Sequence, residues 1–245
     1  MDNTINNKFF DDTPKTVLVL GGSGGIGKAI RDEIQINTNS ILYYTSRNYN
    51  DNNSFYLDGT SNSSWEDLCH KFNEHNIKFD LVINCIGILH DKFNGLNPEK
   101  SIKEINEKNF INNIKVNTLI TAYSLKYLIK YINKSKAIYA SLTARLGSIS
   151  DNNIGGWISY RASKAAEHMV IKTASIELSR NYKDLITIGI HPGTVDTNLS
   201  KPFTKNSKNI FTPNEAASKI IGVLNKIDGS SNGKILDYSG KTISY

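Results

Sequence analysis

Thr16-Val17-Leu18-Val19-Leu20-Gly21-Gly22-Ser23-Gly24-Gly25-Ile26-Gly27-Lys28 is the stretch on which the fold turns. Its first five residues form a nearly continuous apolar run, as a strand covered on both faces reads. Glycines end the run, and an amphipathic segment from Ile26 to Ile36 follows. A strand that turns through glycines directly into a helix aims backbone N–H groups and a helix N-terminus at one spot, where a phosphate is stabilised. Gly22, Gly24 and Gly27 satisfy G-x-G-x-x-G, while Gly21, Gly25 and Gly27 satisfy G-x3-G-x-G. Gly22 to Lys28 also fits the first seven positions of a P-loop. That third reading fails at its last position, because Ala29 stands where a hydroxyl must coordinate magnesium.

Outward from the loop, short apolar runs alternate with longer amphipathic segments, the pattern of a parallel sheet built from strand–helix units. Further strands are expected at Ser40 to Thr45, Ser54 to Leu57, Leu81 to Asn84, Lys136 to Ser141, Leu185 to Ile190 and Lys234 to Tyr238. Helices are expected at Ile26 to Ile36, Trp65 to Asn76, Ile105 to Tyr131, Ser159 to Asn181 and Asn214 to Asn225. Ser64 before Trp65, and Thr212-Pro213-Asn214-Glu215, read as helix starts. The expectation is one doubly wound α/β Rossmann domain over 15–245, a seven-stranded mostly parallel sheet with helices on both faces. A loose polar arm, 1–14, precedes it.

Composition narrows the function classes. A chain of 245 residues can bury a full core without disulfides or metal. The net charge of +6 raises nucleic-acid binding, but the basic residues are interleaved with acids and asparagines instead of sharing one face. Lys126, Lys130 and Lys134 do share a helix face, which reads as solvated surface. Cys69 and Cys85 are too few for a disulfide framework, and the histidines show no i,i+4 pair. No metal and no nucleic acid are expected. With no secretory pattern at the start and no long apolar run, neither is a membrane, and the expected location is the cytoplasm.

A dinucleotide site usually carries an acid at the end of the second strand to hold the ribose 2′-hydroxyl. Here the strand ends Thr45-Ser46-Arg47. A guanidinium there suits a 2′-phosphate, so Arg47 favours NADP; NAD remains the alternative, with Arg47 stacking on the adenine of either. Farther on, Tyr160 and Lys164 stand four apart on one helix face. Alone the spacing is weak in a lysine-rich chain with 12 tyrosines. Its chemical sense is that an ammonium near a phenol lowers the phenol's pKa and makes it a usable proton donor.

The glycine loop, Asp58, Asn84-Cys85-Ile86-Gly87, Asn117, the hydroxyl-rich end of the fifth strand, Tyr160/Lys164 and His191-Pro192-Gly193-Thr194 come in the order of the short-chain dehydrogenases/reductases. The chain after Lys15 resembles that family throughout. Leu146 to Asn152 and Gly155-Gly156-Trp157 make it most similar to the sniffer-like carbonyl reductases and the bacterial C-factor-like proteins. The resemblance implies Tyr160 as general acid/base, with Lys164 binding the nicotinamide ribose and tuning it, and Asn117 anchoring a proton-relaying water. It implies a cofactor held by Gly21, Ser23, Gly25, Ile26 and Gly27, by Arg47 and Asp58, by Asn84 and Gly87, and by Pro192, Gly193, Val195 and Thr197.

Three positions depart from the pattern. Leu20 replaces the usual Thr before the glycines, Cys85-Ile86 replace Asn-Ala, and the catalytic serine position falls on Ala144. Thr143 is the expected hydroxyl in its place, with Ser141 or no hydroxyl as alternatives. The expected reaction is hydride transfer between NADP(H) and a small-molecule carbonyl or alcohol, the substrate being read by Asp196 to Phe211 and Ile88 to Pro98. A nucleotide-binding signalling protein on the same fold is the alternative. The resemblance also implies a homodimer or homotetramer.

Overall fold

β1 (Thr16–Leu20) is buried on four of its five residues and pairs in parallel on both sides, as its unbroken apolar run requires. Built around it, the computed structural model describes residues 8–48, 51–91, 95–203 and 209–245. In chain order β1 leads to α1 (Gly25–Asn37), β2 (Ile41–Ser46), β3 (Ser54–Tyr56), α2 (Asn62–Glu74) and β4 (Leu81–Asn84). Next come α3 (Glu107–Asn113), a π-helical stretch (Ile114–Leu119), α4 (Ile120–Leu128), β5 (Ala137–Leu142) and α5 (Ile158–Leu178). The chain closes with β6 (Leu185–His191), β7 (Thr194–Val195), β8 (Ile210–Phe211), α6 (Pro213–Leu224), β9 (Ile235–Asp237) and β10 (Thr242–Ile243).

The main sheet runs β10-β9-β6-β5-β4-β1-β2-β3, parallel throughout except where β10 returns antiparallel on β9. Among the described residues it has eight strands, not the expected seven. The extra one, β10, is two residues long, too short to display a period of its own. The order in which strands are added changes side between β1 and β4. A crevice opens at their carboxyl ends, where ligands of open α/β sheets bind.

Each face of the sheet is covered. Ile30 and Ile34 of α1 with Ile220 and Leu224 of α6 pack on one side; Trp65, Leu68 and Phe72 of α2 with Leu125 and Leu128 of α4 pack on the other. Two helix expectations need correction. α2 starts at Asn62 with Ser61 as its cap, a turn before Ser64. The Ser64 hydroxyl instead accepts from the Asp58 N–H at 2.9 Å. The helix expected over 105–131 begins at Glu107 and changes phase through the π-helical stretch. α6 has the anticipated start, with Thr212 and Glu215 capping each other around Pro213.

The expected loose arm is docked where it is described. Phe9 is only 2% exposed, and the Phe9 and Phe10 N–H groups donate to Asn225 O and Oδ1 just beyond α6. Two adjacent aromatics outweigh the polarity of their neighbours. Residues 1–7 lie outside the described residues, as do 92–94 and 204–208 of the two expected substrate-reading segments. Among the described residues no helix is long and apolar enough to cross a membrane, and no group of three candidate metal ligands occurs.

Candidate active site

The glycine loop is tight because backbone occupies the space that side chains would need. A Cβ on Gly27 would sit 2.3 Å from Gly21 O, and one on Gly25 would sit 2.9 Å from Thr197 Cγ2. Gly21 itself has φ 72°, the left-handed region. Its N–H donates to Thr45 Oγ1 at 3.1 Å and that of Gly22 to Thr45 O at 2.9 Å, tying the loop to the end of β2. Gly24 caps α1 without a side chain, and the first turn holds no acid. The helix therefore presents bare N–H groups and the positive end of its dipole, the donor set of a phosphate site.

Beside the loop lies an opening of about 310 Å³ lined by Gly21, Ser23, Arg47, Asp58 and Gly87 among others. Arg47 is exposed at its rim. Hydrogen bonds from Thr60 N and Oγ1 hold the Asp58 carboxyl below the usual range, with Arg47 adding its charge. Asn84 is not brought here. It is fully buried, its Nδ2 donating to Thr121 Oγ1 and Ser141 Oγ at 3.0 and 3.1 Å and its Oδ1 accepting from Ile86 N–H.

A second cleft, about 530 Å³, continues from Ile26 of the loop past Pro192, Gly193, Val195 and Thr197 to Tyr160. α5 delivers Tyr160 in its first turn. Trp157 caps the helix, its φ of 52° making the entry sharp, and Glu99 receives the free end: Ser159 N–H donates to Oε2 at 3.2 Å, and the Ser159 hydroxyl donates to Oε1. Glu99 lies 60 residues from its partner, and no local pattern announces it.

Lys164, one turn beyond Tyr160, is buried at 3% exposure, and its Nζ donates to Glu167 Oε2 at 2.7 Å and Leu142 O at 3.2 Å. A Cβ on Gly87, which lines the first cleft, would lie 3.8 Å from that Nζ and 3.3 Å from Asn117 Oδ1. Asn117 stands in the π-helical stretch with its amide spent on structure. Oδ1 accepts from Ile88 N–H at 2.7 Å, while Nδ2 donates to Ile88 O at 2.9 Å and Ser163 Oγ at 3.0 Å. The expected lowering of the Tyr160 pKa is reversed in the cofactor-free protein. Burial pushes the phenol up, Lys164 pulls it down, and Glu167 pushes it up again, so the phenol keeps its proton.

The hydroxyl question resolves into geometry. Ser141 is fully buried and donates to Glu167 Oε1 at 2.7 Å, behind the cleft. Thr143 and Ala144 both border the cleft, and Thr143 Oγ1 stands 2.9 Å from His168 Nε2. Burial, with the Lys164 charge adding, pushes His168 down to about 4 and keeps it neutral. A neutral imidazole protonated on Nε2 donates to Thr143 and frees the threonine proton for a carbonyl; protonated on Nδ1, it takes that proton instead. Among the described residues His168 Nδ1 has no hydrogen-bond partner. Glu167 and His168 escaped the sequence reading, although their spacing from Lys164, three and four, places them on its helix face.

A family model described as short chain dehydrogenase matches residues 15–208. This chain is 26% identical over 237 residues to the 1-hydroxy-2-glutathionyl-2-methyl-3-butene dehydrogenase of Rhodococcus sp. (strain AD45), covering 94% of this chain and 99% of that one. It is 32% identical over 109 residues to the C-signal of Myxococcus xanthus, covering 43% of this chain and 60% of that one. Among solved structures it is similar to the carbonyl reductase Sniffer of D. melanogaster, with TM-score 0.82, 19% identity, and coverage of 95% and 100% of the two chains.

Proposed function

The chain belongs to the short-chain dehydrogenase family of oxidoreductases, and from that premise we propose that it uses NADPH to reduce an aldehyde or ketone with an apolar or aromatic body. One observation carries the reading: Tyr160 borders the larger cleft while Lys164 is buried one turn behind it, close to Gly87 of the smaller one. The bare N-terminus of α1 and the glycine loop would hold the pyrophosphate, and Arg47 the 2′-phosphate. When bound, NADPH supplies the hydride. Leu89, Leu146, Trp157, Leu199 and Phe203 line the substrate side and favour an apolar body.

Tyr160 gives its proton to the carbonyl oxygen as that oxygen gains charge, and the raised pKa keeps the proton available at neutral pH. Thr143, backed by His168, orients the same oxygen. Lys164 holds the cofactor-side geometry and replenishes positive charge near the phenol. Two copies are proposed to pair through α4 and α5, where Met169 and Ile176 stand exposed. A purely signalling role is disfavoured, since it has no use for a buried lysine behind a cleft-lining tyrosine.

The test is a direct titration followed by turnover. NADPH should bind about tenfold or more tightly than NADH, a charge-assisted phosphate contact contributing about 1.5–3 kcal/mol. Carbonyl reduction, screened over aldehydes, ketones and quinones by NADPH absorbance, should fall about 10²-fold or more in Tyr160→Phe with cofactor binding retained. Equal affinities would remove the NADP assignment, and undiminished turnover would remove Tyr160 as the acid.

A further inference from the structure

Glu167 stands one turn beyond Lys164 on α5, fully buried, with hydrogen-bond partners on both carboxylate oxygens. The Lys164 ammonium reaches Oε2 at 2.7 Å; the Ser141 and Thr121 hydroxyls reach Oε1 at 2.7 and 3.0 Å. Asn84 closes the cluster from behind by donating to both hydroxyls. Both carboxylate oxygens are thus held, Oε2 by the ammonium and Oε1 by two hydroxyls. Family resemblance gives this position no role, and an apolar residue would fill the same space without the cost of burying charge.

The ammonium is consequently fixed from two sides, by Glu167 and by Leu142 O. Its remaining N–H is left for the opening beside Gly87, toward the proposed cofactor site. A lysine alone beside a buried phenol would favour the phenolate. A carboxylate in contact with that lysine offsets part of the same field, strongly so in a dry interior. We infer that Glu167 is a positioning residue for the proposed reaction: its buried carboxylate fixes the Lys164 ammonium behind Tyr160 and withholds part of that charge from the phenol. The inference rests on the reading of Tyr160 as acid and Lys164 as its tuner. Its functional consequence is a bias: a phenol that keeps its proton is a better donor to a carbonyl than a base toward an alcohol.

Other ionisable groups stand on the neighbouring elements, of which Tyr139 faces Glu167 and His168 faces Lys164. β5 contributes Tyr139, the turn after it Arg145, β6 His191 and β9 Asp237, which pairs with Arg145 at 3.3 Å. α5 adds Arg161 and His168, and Asp151 acts on Arg161 from the segment before the helix. The middle helical region presents the neutral Asn117, Thr118 and Thr121. Within this set Glu167 is the carboxylate bonded to the lysine.

The experiment follows the Tyr160 phenol by NMR in cofactor-free protein carrying ring-ζ ¹³C tyrosine, with the signal assigned from Tyr160→Phe. Glu167→Gln should lower the Tyr160 titration midpoint by about one pH unit or more. Glu167→Asp, which keeps the charge but shortens its reach, should fall between variant and wild type, and carries the test if the Gln variant does not fold. A Tyr160 signal that titrates no earlier in the variants than in the wild type overturns the inference. Neither cofactor nor substrate is needed, so this outcome is separate from that of the functional reading, which falls if Tyr160→Phe leaves carbonyl reduction undiminished.

Discussion

At the scale of single residues, the site turns on which hydroxyl meets the substrate oxygen. Thr143 borders the cleft and Ser141 does not, so Thr143→Val should lower kcat/KM by about 10²–10³-fold, the scale of one lost oxyanion donor, while NADPH affinity holds. Ser141→Ala should leave the carbonyl contact intact and act only through Glu167. Steady-state kinetics on both variants check this, and the reverse ranking would exchange the two roles. The sequence offered both because strand alternation puts Ser141 and Thr143 on one face, whereas the difference between them is depth along the strand relative to α5. Asn84 was misplaced for a related reason. It ends β4 at the crevice, but its side chain is drawn inward by two hydroxyls contributed by residues far along the chain.

At the scale of elements, turns and caps carry the precision. A methyl on Gly27 would press on the carbonyl of Gly21, which is backbone and has little room to yield. Gly27→Ala should therefore cost about 1–3 kcal/mol of stability, read from urea unfolding, and weaken NADPH binding by displacing the loop. Unchanged stability would mean that the loop gives way more easily than its packing indicates. The glycine pattern itself was fully legible, because only glycine meets these steric demands. The phase change in the middle helix was not, since a π-helical stretch keeps the same composition as the α-helix around it. Glu99 was equally hidden: a helix cap supplied across 60 residues leaves no local signature beside Ser159.

At the scale of the molecule, two histidines, His168 buried and His191 half-buried at the cleft, tie stability to pH. Burial depresses both His168 and His191 to about 4, below the ordinary imidazole value near 6.5. The unfolded chain takes up these protons first, so the stability they protect is present above pH ~6.5 and is lost as pH falls toward ~4. The urea midpoint should drop over that window, and His168→Gln should flatten the drop; a wild-type midpoint constant over the window would contradict the burial of these rings. The doubly wound plan was readable because each strand–helix unit announces itself, whereas the edge pair of β9 and β10 and the docking of Phe9 depend on surfaces completed by other parts of the chain. The strand order also bears on how the protein is made. Moving away from β1, the sheet adds β2 and β3 on one side and β4, β5, β6, β9 and β10 on the other, each in order of synthesis. A strand emerging from the ribosome thus finds its inner neighbour already in place, and none has to wedge between two that have joined. The loop-bearing half of the crevice is complete before Tyr160 has been translated, so the nascent chain has the means to shape its phosphate cradle first and its acid last.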